Sequence, residues 1–526
     1  MTPLTSRTLR HPRYVNLLVF VAGFTSLGLE LSAARLLDPW FGNSILVWAA
    51  LIGLVLACLS LGYALGGRLA DRWPSAMLLY SLALAAAILI ALIVPVSLPI
   101  LRRAALSTLD LGSVNAGLLA SAGLAIFVLL SLPTVLLGMV SPFAIRLAVT
   151  DVSHSGQVAG RLYALSTVGS LLGTFVPVLI LIPSIGTRLT FAVLAGLLAV
   201  TAVTGLLLER GTKALPALLT LPAIGLLAWL GSRGLIKPEA GLLVEGESLY
   251  NYYQVLQRGP ETWLKLNEGI GLHSVYHPQS ALSEGIWDYF LAAPLFAAEP
   301  SVEVRNVYLV GLAGGTIAQL YTDVYGPIPI DGAELDPDIV AAAGTYFQLD
   351  AYPNVNAVAA DGRSWLFRQP TDRKYSVIAV DAYRPPYIPF HLSTVEFFEL
   401  VRDHLTENGV VAINVARSGS DTSLVDALAA TLAQVFPSVY VVDESTEAFS
   451  LGNSLVVATM QPTTLADFER NAAALDPATY PLLAEMARRA SLTARPADTF
   501  GPVLTDDKAP IEQIVHGIML RYFMGS

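Results

Sequence analysis

The sequence predicts a multi-pass α-helical membrane domain fused to an α/β Rossmann-like domain, with a small β-sheet preceding the latter. Three observations carry this expectation. The 526 residues are 54% hydrophobic and only 14% charged, with a mean hydropathy of +0.59, which argues against an ordinary soluble enzyme and against a disordered chain. The charge is divided unevenly: residues 1–240 carry 15 Lys and Arg against 7 Asp and Glu, and the remainder carries 16 against 34. From about residue 303 short apolar β runs alternate with Ala-rich helical ones, the pattern of a parallel, doubly wound sheet. The expected division is 1–240 membrane domain, 241–285 small β subdomain and 286–526 Rossmann-like domain.

Crossing a bilayer takes about 20 apolar residues. Runs of that kind stand at about 14–36, 45–66, 77–100, 116–138, 162–183, 189–208 and 214–232. The first is longer than a signal-peptide core and holds Glu30 and Arg35, so it reads as a retained helix. If the N-terminus is cytoplasmic, Arg7, Arg10, Arg13, Arg68, Arg72, Arg146, Arg161, Arg210 and Lys213 fall inside, against Arg102, Arg103, Arg188, Arg233 and Lys237 outside. That balance favours the cytoplasmic N-terminus. Seven crossings would then put the acidic half outside, so an even count is preferred, either with the 116–149 stretch, which holds Pro133 and Pro142, crossing twice or with one run not crossing. The segment Gly66–Arg72 (GGRLADR) resembles the loop between the second and third helices of major facilitator transporters. Its simpler reading is close helix packing at the glycines and end-capping by Arg and Asp. A carboxylate at Glu30 is costly inside a bilayer and reads either as a proton or cation pathway or as a partner of Arg35.

The acidic C-terminal half lacks the basic face that a phosphate backbone needs, which argues against nucleic acid. The single cysteine, Cys58, lies in an apolar run, so neither a disulfide framework nor a thiolate metal cluster is expected. The chain suits a reducing compartment.

Residues 248–276 read as short strands: SLYNYYQVLQ, a turn at Gly259–Pro260, TWLKLN and LHSVY. Tyr250, Tyr252 and Tyr253 are expected in the core of that sheet or in a site wall. Next come VRNVYLVG, GGTIAQLYTDVYG, PIPIDGAEL, PDIVAAAGTYF, VNAVAADG, YSVIAVDA, STVEFFELVRDHL and GVVAINVA, alternating strand and helix. The first βα turn, Gly311-Leu312-Ala313-Gly314-Gly315-Thr316, is small enough for a ligand to approach the backbone. Glu334 ends the next strand about 20 residues on, where a carboxylate accepts hydrogen bonds from ribose hydroxyls. Asp361-Gly362 and Asp381 end the two strands after it. Glycine turn and three acids in register along one sheet edge point to a nucleoside. Lys and Arg are sparse near the turn, which favours a nucleoside without phosphates, such as S-adenosylmethionine or a derivative, over NAD. His273, His277 and His391 do not have metal-ligand spacing and read as loop or surface histidines; no metal is expected.

LVGLAGGT, AELDPDIV, ADGRSWL, VDAYRPPYIPFHLSTVEFFELV and TDDKAPIE (Thr505–Glu512) resemble the spermidine synthase, or polyamine aminopropyltransferase, family, and in particular its members fused to a membrane domain. The resemblance runs over about residues 245–515. It implies an S-adenosylmethionine-type transferase fold. It assigns the thioadenosine to Gly311, Ala313, Gly314, Gly315 and Glu334, the base to Asp361 and Gly362, and deprotonation of an attacking amine to Asp381. An amine that is protonated at neutral pH must lose that proton before it attacks. Asp288, Tyr383 and Arg384 are then the substrate-side candidates.

The chain departs from the family pattern at three places. Ala313 stands where an Asp normally binds the amine of decarboxylated S-adenosylmethionine. Trp287-Asp288-Tyr289 replaces a Tyr-His-Glu segment, with Ala292 in place of a later His, and Arg384 replaces a second acid. A guanidinium suits a carboxylate or phosphate, either of intact S-adenosylmethionine or of a lipid acceptor. The expected protein is thus a multi-pass cell-membrane protein with a cytosolic transferase domain acting on an amine or a membrane-associated acceptor. A methyltransferase, or a membrane sensor or transporter that only binds a nucleoside, are the alternatives, and homo-oligomerisation stays open.

Overall fold

The computed structural model describes residues 11–42, 45–107, 114–267, 271–299, 303–383, 388–418, 421–444 and 451–524. Arg384, Arg7 and Arg10 lie outside the described residues. Two compact units are present, one made of the chain up to Pro238 with Glu247–Tyr252, the other of Glu239–Gly246 with Tyr253 onward.

The first unit is helical. Its helices are α1 (Pro12–Phe41), α2 (Ile45–Arg72), α3 (Ala76–Ser107), α4 (Val114–Ala148), α5 (Ser155–Val176), α6 (Ile182–Arg210) and α7 (Thr220–Gly231). Five stretches are long and apolar enough to cross a membrane by length and composition, the last being the whole of Val152–Gly231. Lipid supplies no partners for backbone amides, so apolar runs of this length satisfy them internally as helices. Without a hydrophobic drive between helices, close approach is made by small residues. A Cβ on Gly169 or Gly173 of α5 would stand 2.1 Å from the carbonyl oxygen of Phe20 or Phe24 of α1.

Several sequence expectations are corrected here. The 116–149 stretch does not cross twice: α4 is one helix through Pro133 and Pro142. Arg35 bonds to Asp38 and to the carbonyls of Ser248 and Tyr250, and among the described residues no ion pair involves Glu30. In GGRLADR, Gly66 packs against Met139 while a Cβ on Gly67 would meet nothing, and Asp71 pairs with Arg146 of α4 at 2.8 Å.

Contacts also fix where residues 232–238 and 247–252 of this unit lie. α6 runs antiparallel to α1, with Tyr14 bonded to the Thr201 carbonyl and Leu194 facing Gly28. Lys237 bonds to the Pro39 carbonyl at the end of α1. Arg188, near the start of α6, holds the carbonyls of Gly234 and Leu235, and Glu247 accepts from the amide and hydroxyl of Thr187 just after the kink at Gly186. Residues 232–238 and 247–252 therefore lie at the end of the bundle opposite the start of α1.

The second unit opens with an antiparallel sheet, β1 (Leu242–Glu247), β2 (Tyr252–Arg258), β3 (Glu261–Leu266) and β4 (Leu272–Tyr276), in order β1-β2-β3-β4. The Gly259–Pro260 turn closes β2 on β3, pairing Arg258 with Glu261. β1 was not expected, since LLVEGE offers no aromatic run. Tyr252 is core.

The main sheet has eight strands: β5 (Val307–Val310), β6 (Ile330–Glu334), β7 (Val355–Ala359), β8 (Tyr375–Val380), β9 (Leu405–Ser418), β10 (Ser438–Asp443), β11 (Leu451–Thr459) and β12 (Arg495–Pro496), in order β12-β10-β11-β9-β8-β5-β6-β7. β5 to β9 are parallel. β11 runs antiparallel to β9 and β10, so the sheet is mixed where the repeating pattern had suggested parallel strands throughout. Strands buried on both faces read as continuous apolar runs. In β5 alternate residues serve opposite cores, Val307 and Leu309 packing with Phe290 and Leu320, Tyr308 and Val310 with Phe397 and Leu428.

Candidate functional site

The order β8-β5-β6-β7 puts four strand ends side by side. β5 runs into the glycine turn and then α9 (Thr316–Tyr325). Gly311 has φ +88°, and a Cβ there would stand 2.5 Å from the backbone oxygen of Asp381. Only glycine meets both demands. Ala313 also takes a left-handed conformation, φ 46°. Ser274 of β4 accepts from the Gly314 amide at 2.8 Å, and Thr316 exchanges two hydrogen bonds with the backbone of Val275. The small sheet is thereby pinned to the turn.

Glu334, at the end of β6, accepts from the Ala313 amide at 2.9 Å through Oε2 and from the Asp336 amide at 3.1 Å through Oε1. Burial pushes its pKa up, against the lowering effect of these amides. Each oxygen retains acceptor capacity for a ligand.

Asp361 follows β7 and caps α11 (Gly362–Phe367), accepting from the Ser364 amide at 2.8 Å. Its other oxygen lies 2.9 Å from His391 Nε2, and this contact is the main cause that holds its carboxyl well below the usual range. Gly362 packs under β5, with Tyr308 donating to its carbonyl. Arg363 forms a two-pronged pair with Asp506 of the TDDKAPIE motif and also donates to the His391 carbonyl.

Asp381 follows β8. Oδ2 accepts from Trp287 Nε1 and Oδ1 from Asn414 Nδ2, both at 2.8 Å. Burial raises its pKa and the two donors oppose the rise. Strand register explains the second contact: Val380 of β8 pairs with Ile413 of β9, so Asp381 and Asn414 are neighbours at adjacent strand ends. Tyr383 accepts from the Ala416 amide. Asp288, fully buried in α8 (Ile286–Tyr289), spends its carboxylate on the Ser283 amide and hydroxyl and the Glu284 amide.

The site therefore brings together Gly311, Ala313, Gly314, Gly315 and Glu334 at one point, Asp361 and Gly362 at the next strand end and Asp381 on the other flank. Asp288 braces a loop. Asn414 is a residue of this edge that sequence reasoning did not single out, and Trp287 entered there only as a departure from the family's segment. The lone amide in the apolar run VVAINVA was the available signal for Asn414. His391 lies in a loop turn, as read, and faces Asp361. His273 is a correction: it sits in β4 with both ring nitrogens buried and its pKa lowered to about 4 by burial. Among the described residues no cluster of three His, Cys, Asp or Glu side chains is placed to hold a metal.

A doubly wound sheet with its acids at the carboxyl ends of the strands is a Rossmann-like architecture, in which ligands bind at that edge. No family model matches the chain. It is 32% identical over 299 residues to a probable polyamine aminopropyl transferase of Bifidobacterium longum, covering 53% of this chain and 64% of that protein. It is 30% identical over 225 residues to a polyamine aminopropyltransferase of Vibrio vulnificus, covering 42% of this chain and 72% of that one. A probable spermidine synthase structure from Corynebacterium glutamicum aligns with 17% identity and a TM-score of 0.38, over 48% of this chain and 95% of that chain. The chain belongs to the polyamine aminopropyltransferase, or spermidine synthase, family.

Proposed function

We propose that the second unit transfers an alkyl group from an S-adenosyl sulfonium donor to an amine, aminopropyl transfer from decarboxylated S-adenosylmethionine being the reaction. Glu334 holds the ribose hydroxyls and Asp361 the base. Asp381 takes the proton of the attacking amine. The nitrogen lone pair forms the new C–N bond at the methylene beside sulfur, and the C–S bond breaks with its electron pair passing to sulfur. The products are methylthioadenosine, the extended amine and one proton.

The observation that carries this reading is the Asp381 carboxylate, fixed by Trp287 and Asn414 next to the glycine turn. Burial favours its protonated form, which suits proton uptake. The test is to incubate the detergent-purified protein with decarboxylated or intact S-adenosylmethionine and a set of polyamines and lipids, and to identify the nucleoside by mass spectrometry. Methylthioadenosine that disappears in Asp381→Asn, with nucleoside affinity kept, supports the reading. S-adenosylhomocysteine would replace it with methyl transfer. That second reading is favoured by Ala313, which offers no carboxylate to the amine of a decarboxylated donor.

The helical unit, on this reading, anchors the enzyme in the cell membrane, and the transferase works in the cytosol where its donor is made. Since residues 232–238 end the bundle opposite the start of α1, this reading puts that start on the outer face, against the Lys and Arg balance of the loops.

A further inference from the structure

A cavity on the flank of α9 holds side chains that the proposed reaction leaves unused. It lies between that helix, the loop after β4 and Tyr352, and measures about 30 Å³, room for a water or an ammonium head. Thr316, Gln319 and Asp323 line it from one stripe of α9. Thr316 and Gln319 are buried, while Asp323 and Ser280 are exposed and mark the mouth. Asp323 lies two helical turns, about 10 Å, beyond Thr316, and Gly311, Glu334, Asp361 and Asp381 are not among the lining residues.

Acceptors dominate the wall. Gln319 donates its Nε2 to the Phe347 carbonyl at 2.6 Å, which fixes the amide. Among the described residues its Oε1 then has no hydrogen-bond partner, on a residue only 7% exposed. Asp323 accepts from the Tyr352 hydroxyl; burial raises its carboxyl pKa and that donor opposes the rise. Tyr276 brings a second phenol close to Tyr352, and His277 uses Nδ1 to accept from the Gln279 amide. No Lys or Arg lines the cavity, so the charge of Asp323 is unmatched there.

We infer that this cavity is a second amine site, in which a primary ammonium donates to Asp323 and to Gln319 Oε1 beside the phenols of Tyr276 and Tyr352. An ammonium brings three donors and a positive charge, the complement of a carboxylate and an amide oxygen, and phenol faces attract it further. An anion would meet Asp323, and an alcohol has one donor and no charge. The wall is tied to the glycine turn, since Thr316 exchanges hydrogen bonds with Val275 and Ser274 accepts from the Gly314 amide. The inference goes beyond the proposed reaction and does not rest on it.

The experiment uses the full-length protein in detergent, saturated with methylthioadenosine, and counts labelled 1,4-diaminobutane bound per chain by equilibrium dialysis, with and without potassium chloride. Wild type should bind two amines. Asp323→Asn should weaken one of them roughly 10-fold or more, the usual effect of losing a hydrogen bond to a charged group, with methylthioadenosine affinity unchanged as proof of folding. Ser280→Lys, which brings a tethered ammonium to the mouth, should exclude the same amine and serves if Asp323→Asn does not fold. Asp381→Asn should remove the other. A single amine that only Asp381→Asn removes overturns the inference and leaves the proposed reaction standing. A single amine that Asp323→Asn removes and Asp381→Asn leaves sustains the inference and overturns the reading of Asp381. Full displacement of the second amine by equimolar potassium would make this an inorganic cation site and overturns the inference, as does a wild type that binds no amine.

Discussion

Asp361 and His391, thirty residues apart, meet at 2.9 Å through Oδ2 and Nε2. The carboxylate is the cap of α11 and the imidazole rides on the turn Phe390–Leu392, which Arg363 ties by its carbonyl to Asp506. The late TDDKAPIE motif thereby braces the far corner of the acid-lined sheet edge.

That contact has a definite pH sign. Asp361 has a depressed carboxyl pKa, caused first by His391 and then by Ser364. Its stabilising effect is complete above the unfolded aspartate value of about 3.9 and is lost as pH falls below it. His391→Ala should return Asp361 toward an ordinary carboxylate and lower thermal stability at neutral pH, the difference from wild type closing on acidification. Melting curves of the two proteins between pH 7 and 3 that stay parallel would remove His391 from this role.

Glu334 gives up part of each carboxylate oxygen to the amides of Ala313 and Asp336. Glu334→Ala should lose roughly 1.5 to 3 kcal/mol of methylthioadenosine binding, the usual worth of hydrogen bonds to a charged group. Calorimetry giving wild-type affinity would mean that the ribose lies elsewhere.

Gly311→Ala places a methyl group 2.5 Å from the Asp381 carbonyl and at φ +88°. Strain of that kind costs on the order of 1 to 3 kcal/mol, and relief requires Asp381 to move. Both the melting temperature and turnover should fall. An active, equally stable variant would show that the β5–β8 edge yields without cost.

The helical unit makes a separate prediction. Cys58 is the single cysteine and is buried, so a Cys58→Ala background suits cysteine mapping. Val152→Cys, between α4 and α5, and Ser232→Cys, after α7, should label from opposite faces of the membrane with an impermeant maleimide. Labelling from one face would refute an odd number of crossings.

By itself the sequence determined whatever depends on local periodicity. Seven apolar runs became helices because their backbone amides can be satisfied internally, and the alternation after residue 303 became strands and helices because each strand is buried on both faces. The edge positions of Gly311, Glu334, Asp361 and Asp381 follow from counting along those strands. Tertiary structure decided which side chains meet there. Asp381 and Asn414 are 33 residues apart and touch because β8 lies beside β9. Trp287 arrives from 94 residues away, and His391 reaches Asp361 only because the turn Phe390–Leu392 comes back to the start of the helix Gly362–Phe367. A single apolar strand carries no mark of its neighbour. Strand order supplies the partner, and the cost of burying an unpaired polar atom makes the pairing specific.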